Sequence, residues 1–126
     1  MMKKARNNEL TKGLVMFYQT LKFTGSNFDR IHKGKTTTIR LGCKCFDLDK
    51  PVRLLNEDTN EEVAAQIIEV RHVRFFRLGL LDAVADGFNS EEELRAELER
   101  VYQKEVEEAD IVTVIRFKKI WIRDDE

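Results

Sequence analysis

The segment Gly-Lys-Thr-Thr-Thr-Ile-Arg, residues 34–40, carries the most chemistry per residue in this chain. It places an amine, three hydroxyl groups and a guanidinium within a few residues of each other. A threonine hydroxyl becomes a nucleophile when a neighbouring group takes its proton, and a lysine does this when burial or a nearby cation lowers its pKa. Lys35 is therefore a candidate base, Thr38 a candidate nucleophile and Arg40 the nearby cation. The alternative is a β-branched strand whose hydroxyls bond the backbone.

This segment is not a nucleoside-triphosphate phosphate loop, because the upstream glycine is missing and the segment leads into a predicted strand. Residues 30–44 hold five Lys and Arg residues and no carboxylate. Gly34 allows the backbone to approach a ligand closely, so an anionic ligand is expected here. A second basic group, which includes Arg74 and Arg116, falls on predicted strands. Residues 82–110 are acidic instead, and the alternative is that all these charges are solvated and paired with one another.

The overall charge is nearly balanced, with 22 Lys and Arg against 23 Asp and Glu and a net charge of −1. Bulk charge therefore indicates neither a general nucleic-acid binder nor an acidic disordered tail. No apolar run approaches the roughly 20 residues of a membrane helix, so we expect a cytoplasmic protein with no membrane contact.

Cys43 and Cys45 are the only cysteines in the chain, and His32 and His72 are its only histidines. Without a second cysteine pair or clustered histidines, the two thiols form a poor zinc site. We interpret them as reduced structural thiols, and we expect no metal or other cofactor.

The length and the single proline predict one domain. Residues 1–12 are polar and basic without periodicity, which predicts a mobile lead-in to a domain over residues 13–126. The predicted strands cover residues 21–24, 36–41, 52–55, 63–78 and 111–117, and the long strand 63–78 is expected to have a bulge or bend at 69–72. The predicted helical segments alternate with them. They are a helix that starts at 25–27 and ends at Gly34, a helical turn over 80–85, and a helix after a Ser90–Glu93 capping box. This order predicts an α+β fold, with a small barrel or curved mixed sheet flanked by two to three helices.

Three segments, GKTTTIRLG, ADGFNSEEEL and DIVTVIRFKKI, together resemble the ASCH family of the PUA-like superfamily. The resemblance covers roughly residues 21–120, with the segments in the family's order. It implies a small PUA-like β-barrel with flanking helices.

The resemblance also implies a function, which is the binding of RNA or modified nucleosides in a cleft beside the strand after Gly34. One branch of the family hydrolyses the acetyl amide of N4-acetylcytidine with a Lys, Thr and Glu constellation. By resemblance these roles fall on Lys35, Thr38 and Asp86, with Arg40 holding the ligand. Asp86 stands where that branch has Glu, and its carboxylate reaches about 1.5 Å less. The glycine-to-threonine spacing is one residue shorter than in the family, and Asp49-Lys50-Pro51 replaces a Gly-Asp pair.

Three hypotheses follow, in order of preference. The first is a binding module for RNA or a modified nucleoside, with a basic cleft of Lys35, Thr38 and Arg40, joined by Gly34, Arg74 and Arg116. The second is an amidohydrolase that uses Lys35, Thr38 and Asp86. The third is an interaction domain whose acidic helix, residues 90–110, meets a basic protein partner. The candidates for base stacking are Phe75, Phe76, Phe88 and Trp121, and the sequence leaves the oligomeric state open.

Overall fold

Segments rich in β-branched and apolar residues form one sheet, as their alternation predicts. A computed structural model describes residues 19–120. In it, a mixed five-stranded sheet curls into a half-barrel, and three α-helices accompany it. The predicted α+β fold with a PUA-like curved sheet is confirmed. The lead-in predicted over residues 1–12 and the stacking candidate Trp121 lie outside the described residues.

The strands are β1 (Gln19–Phe23), β2 (Thr37–Leu41), β3 (Pro51–Asn56), β4 (Glu62–Arg74) and β5 (Ile111–Lys119). The helices are α1 (Gly25–His32), α2 (Leu80–Ala85) and α3 (Glu91–Tyr102), and a 3₁₀ turn covers Phe75–Arg77. The spatial order of the strands is β1-β3-β4-β5-β2. The β1–β3 pair is parallel and the other three pairs are antiparallel.

The long strand β4 differs from its prediction in two respects. The register against β5 shifts between Ile67 and Glu69, so the irregularity lies at Ile68, one residue before the predicted range. Ile68 is the extra residue, and because its side chain is exposed the irregularity does not disturb the packing of the core. The strand also ends at Arg74 and not at Leu78, because Phe75 starts the 3₁₀ turn.

Strand β5 lies between β4 and β2 and buries residues on both of its faces. Val112 and Val114 pack into one apolar cluster with α2 and α3, while Ile115 and Phe117 pack into a second cluster with α1 and β3. Alternate residues of a strand point to opposite faces, so one strand supplies both cores. Its neighbour β2 adds Ile39 and Leu41 to the first of these clusters.

Side-chain and backbone caps fix the helix ends. Thr24, one residue before the predicted start, caps α1 by accepting from the Asn27 backbone N–H at 3.4 Å. The Ser90 hydroxyl accepts from the Glu93 N–H at 3.1 Å, as its capping motif predicts. The return bond of that motif differs, because the Glu93 carboxylate accepts from the N–H of Asn89 instead of Ser90.

No helix within residues 19–120 is long and apolar enough to cross a membrane. Among the same residues, no group of three or more His, Cys, Asp and Glu side chains is placed to hold a metal ion. Cys43 and Cys45 are both exposed free thiols.

Candidate functional site

Lys35 and Asp86 form a buried ion pair between the end of α1 and the end of α2. Their exposed fractions are 5% and 3%. The Lys35 Nζ contacts Asp86 Oδ1 and also donates to the Asp86 backbone carbonyl at 3.0 Å. A pair buried to this degree is expensive to desolvate and is weak evidence for a purely stabilising role.

A tight turn holds Asp86 in place. Asp86 caps α2, Gly87 follows with a φ of +94°, and the N–H groups of Gly87 and Phe88 bond the carbonyls of Val84 and Ala83. This is the Schellman arrangement that glycine favours at a helix end. It aims the Asp86 side chain back at Lys35.

Thr38 and Arg40 share one face of β2, as alternation predicts. The Arg40 Nε donates to Thr38 Oγ1 at 3.0 Å, and the Arg40 guanidinium lies 4.8 Å from the centroid of the Phe23 ring. The guanidinium is therefore fixed by a hydrogen bond to a hydroxyl and by a cation–π contact with an aromatic ring. Lys35 makes no hydrogen bond to Thr38 within the described part of the chain.

Burial and three neighbouring charges act on the pKa of Lys35. Burial lowers the pKa of the Lys35 amine well below its usual value, and the positive charges of Arg40 and Arg30 lower it further. The Glu97 carboxylate acts in the opposite direction. A lysine with this shift is a feature of functional sites.

These groups line one open cleft between the sheet and the helices. The structure brings Lys35, Thr38, Arg40 and Asp86 together in it, and the cavity volume of the cleft is ≈ 90 Å³. That volume lies below the usual 300–1,000 Å³ range of small-molecule sites, so a ligand would be only partly enclosed. The roles of the four residues stay predictions.

The cleft is not as basic as the sequence suggests. Three cations line it, and three carboxylates do as well. The cations are Lys22, Lys35 and Arg40, and the carboxylates are Glu57, Asp86 and Glu97. Balanced charge favours an uncharged polar ligand over a phosphate chain.

Several cleft residues were not predicted from the sequence. Phe23 comes from β1, Asn27 from α1, Glu57 from the turn after β3, and Glu97 and Tyr102 from α3. The Tyr102 hydroxyl accepts from the Leu41 N–H at 3.2 Å, and the Asn27 Nδ2 donates to Glu97 Oε2 at 2.9 Å. No local signal in the sequence marked Tyr102 as a cleft residue.

Three predicted ligand-binding residues do not line the cleft. The Arg74 side chain is exposed and donates to the Ala109 carbonyl at 2.7 Å. The Arg116 Nε lies 3.5 Å from Glu69 Oε1, across the β4–β5 pair, because β5 presents this side chain away from the cleft. Gly34 has a φ of +108° at the end of α1, where it redirects the chain towards β2 without touching the cleft.

The predicted stacking residues also differ in placement. Phe88 lines the cleft but is buried beneath the Arg30 guanidinium, which lies 4.2 Å from its ring centroid. Phe75 is buried in the apolar cluster that contains α2 and α3. Phe76 is exposed beside Arg77 and away from the cleft.

Comparison with known structures agrees with this architecture. The chain is similar to the crystal structure of an ASCH domain from Lactobacillus crispatus JV V101, with a TM-score of 0.63 and 15% identity, over 94% of each chain. It is also similar to a protein of the family DUF984 from Enterococcus faecalis V583, with a TM-score of 0.65 and 14% identity, over 95% of this chain and 90% of that one.

No protein-family model matches the sequence, and no curated protein matches it. The fold is thus that of an ASCH domain, as the three sequence segments predicted. At this level of identity the similarity concerns the fold alone.

Proposed function

We propose that the cleft binds a single nucleoside, either free or turned out of an RNA strand, and that modified cytidines belong to its ligands. The observation that carries the proposal is the Arg40 guanidinium, which lines the cleft and is fixed by a hydrogen bond to Thr38 Oγ1 and a cation–π contact with the Phe23 ring. Bases of single-stranded RNA stack on guanidinium planes as well as on aromatic rings. A base that lies against Arg40 then has the polar groups of Thr38 and Lys35 within the same cleft.

Charge and size support a nucleoside over a longer stretch of nucleic acid. Three carboxylates offset three cations in the cleft, so it offers no net attraction for phosphates. Carboxylates and hydroxyls accept hydrogen bonds from base amino groups and ribose hydroxyls, and the lysine and arginine donate. The cavity of ≈ 90 Å³ encloses only part of one such ligand and has no room for a longer strand.

Calorimetric titration with uridine, cytidine, N4-acetylcytidine, adenosine and guanosine tests the proposal. We expect at least one of them to bind, and Arg40→Met to weaken that binding at least tenfold, since it removes both the platform and a charged donor. Arg116→Met is the matched control, because Arg116 lies on the same sheet outside the cleft. Its affinity should stay within twofold of wild type. Absence of binding by every nucleoside at millimolar concentration contradicts the proposal.

A second candidate function is hydrolysis of the acyl amide of an N4-acylated cytidine. The observation that favours it is the buried Lys35 amine, whose pKa burial lowers well below the usual value, in one cleft with the Thr38 hydroxyl. In this reaction Thr38 Oγ1 attacks the acyl carbon while Lys35 takes the hydroxyl proton and returns it to the departing N4 nitrogen. Water then cleaves the Thr38 ester, which releases the carboxylic acid and restores the hydroxyl.

The same contacts set a condition on catalysis. Lys35 Nζ is engaged by Asp86, and Thr38 Oγ1 accepts from Arg40, so Lys35 must turn towards Thr38 when substrate binds. Release of cytidine and acetate from N4-acetylcytidine tests the candidate. Thr38→Val should abolish turnover, Asp86→Asn should lose most of it, and Asp86→Glu should change it by no more than about tenfold. If only Asp86→Glu is active, the wild-type cleft is a binding site.

A further inference from the structure

We propose that Arg30 is a positioning residue for the cleft, which holds the Asp86–Gly87 turn against Lys35 and sets the electrostatic balance of the pair. The inference rests on the proposed function of the cleft, although Arg30 itself does not line it. No feature of the sequence singled out Arg30 beyond its membership in a basic segment.

The Arg30 side chain reaches from the last turn of α1 to the turn after α2. Its Nη1 donates to the Gly87 carbonyl at 2.6 Å, and its guanidinium lies 4.2 Å from the centroid of the Phe88 ring. Gly87 directly follows Asp86, so these two contacts fix the backbone that carries the Asp86 carboxylate. A charge-assisted bond of this kind is stronger than an ordinary one.

The Arg30 backbone positions the other partner of the ion pair. Its carbonyl accepts from the Lys35 N–H at 2.9 Å and from the Lys33 N–H at 3.0 Å. One residue therefore anchors Lys35 through its main chain and the Asp86 turn through its side chain.

Gly87 leaves the space that Arg30 occupies. A Cβ atom at position 87 would lie 3.1–3.4 Å from three carbons of the Arg30 side chain, and the φ of Gly87 is +94°. Any larger residue would strain the turn and press on Arg30. The glycine of the Ala-Asp-Gly-Phe segment thus serves both the helix end and this contact.

The charge of Arg30 acts on the ionisable groups of the cleft. Among residues 19–120 Arg30 has no carboxylate partner within ion-pair distance, and its buried Nε has no hydrogen-bond partner. Its charge acts over a longer distance on Lys35, whose pKa is lowered first by burial, then by Arg40 and then by Arg30. It also acts on Glu97, a carboxylate that lines the cleft. A cation that acts on the ionisable groups of one cleft is typical of a functional site.

A titration without ligand tests the inference independently of the proposed function. The Lys35 Cε resonance is followed by NMR against pH in wild type, Arg30→Met and Arg30→Lys. Loss of the Arg30 charge should move the Lys35 titration to higher pH in Arg30→Met, whereas Arg30→Lys should stay near wild type. Arg30→Gln, which keeps a donor for Gly87 but no charge, gives the same readout where Arg30→Met does not fold. An unmoved Lys35 titration in the uncharged variants overturns the inference.

Ligand affinity provides the second readout. For whichever nucleoside the wild type binds, Arg30→Met should weaken binding about tenfold. Arg53→Met is the matched control, because Arg53 also has a buried Nε without a partner in the described structure but lies on β3 outside the cleft. A loss of thermal stability in both variants, with affinity within twofold of wild type, would make Arg30 a structural residue only. If no nucleoside binds the wild type, the proposed function fails while the Lys35 titration still decides the role of Arg30.

Discussion

Thr37 and Thr38 are adjacent on β2, but only Thr38 lines the cleft. Thr37 and Thr38 are both buried, but Thr38 Oγ1 accepts from Arg40 in the cleft, whereas Thr37 Oγ1 has no partner among residues 19–120. Alternation along the strand sends the two side chains to opposite faces. The pair therefore offers a substitution and its control at neighbouring positions.

Thr38→Val should weaken nucleoside binding about tenfold, because the Arg40 Nε loses its acceptor and the platform loosens. Thr37→Val replaces an unsatisfied hydroxyl by a methyl group. It should leave affinity unchanged and keep or raise stability by up to about 1 kcal/mol. Calorimetry and thermal unfolding of the two variants measure both effects, and equal losses of affinity would contradict the assignment of Thr38 to the cleft.

The Lys35 amine makes stability depend on pH with a definite sign. Burial lowers its folded-state pKa below the unfolded value near 10.5, so between those two values the unfolded chain binds a proton that the folded chain lacks. Stability contributed by Lys35 therefore rises with pH across this window and is lost as pH falls through it.

Urea unfolding between pH 7 and pH 10 measures this dependence. The reference is the double variant Lys35→Met/Asp86→Leu, which replaces the buried pair by apolar side chains without leaving a lone charge. We expect the wild type to gain stability relative to this reference as pH rises. Parallel curves would show that the Lys35 pKa is not lowered by folding.

Helix α3 supplies one wall of the cleft, and its N-cap stabilises the first turn of this helix. The Ser90 hydroxyl accepts from the Glu93 N–H at 3.1 Å, while Glu97 and Tyr102 further along the helix line the cleft. A lost cap frees the first turn of a helix before its later turns. The effect on the fold should thus exceed the effect on the ligand.

Ser90→Ala should lower the free energy of unfolding by about 1 kcal/mol. Ser90→Gly should cost only a few tenths of that amount, since glycine is tolerated at an N-cap. Chemical denaturation measures both. A Ser90→Ala variant as stable as wild type would show that the cap is replaced by solvent.

The sequence predicted most of these elements because each has a local signal. Alternation marked β5, the Ser90 cap marked α3, and the β-branched run marked β2. The exact end of β4 was not predicted, because its apolar run continues past Arg74 into the 3₁₀ turn. Periodicity cannot separate the strand from this turn. Tertiary contacts with residues 108 and 110 fix that turn, through bonds from the Phe75 and Phe76 N–H groups.

The site was predictable only in part, for the same reason. Lys35, Thr38 and Arg40 lie on one short segment, so their spacing was visible, and Asp86 was identified by resemblance alone. Phe23 and Glu57 reach the cleft through the β1–β3 pairing, which is parallel and joins segments far apart in sequence. Arg116 does not line the cleft, because the register pairs it with Glu69 of β4, and the sequence does not reveal that register.

At the scale of the whole molecule, charge is balanced both overall and inside the cleft. The chain has a net charge of −1, and the cleft holds three cations and three carboxylates. Exposed basic residues such as Arg74 and Arg116 lie elsewhere and are engaged by a carbonyl or a carboxylate. Long-range attraction should therefore contribute little to recognition.

Salt dependence measures this expectation. Affinity for a free nucleoside should change little between 50 and 500 mM salt, because no counterions are released. A single strand that made about three phosphate contacts would instead give a log–log slope near −2, at about −0.7 per contact. A steep slope for a short RNA together with no nucleoside binding would move recognition to the basic surface outside the cleft.

If the cleft of Lys35, Thr38, Arg40 and Asp86 is the ligand site, a bound nucleoside must perturb the amides around it, which NMR detects. Amide spectra of the full chain are recorded while N4-acetylcytidine or cytidine is added. We expect saturable shifts at the amides of Phe23, Thr38 and Tyr102 in the wild type, with these shifts lost in Arg40→Met and kept in Arg116→Met. Shifts confined to the exposed face of α2 or to the surface around Arg74, or no shifts with either nucleoside, would contradict it.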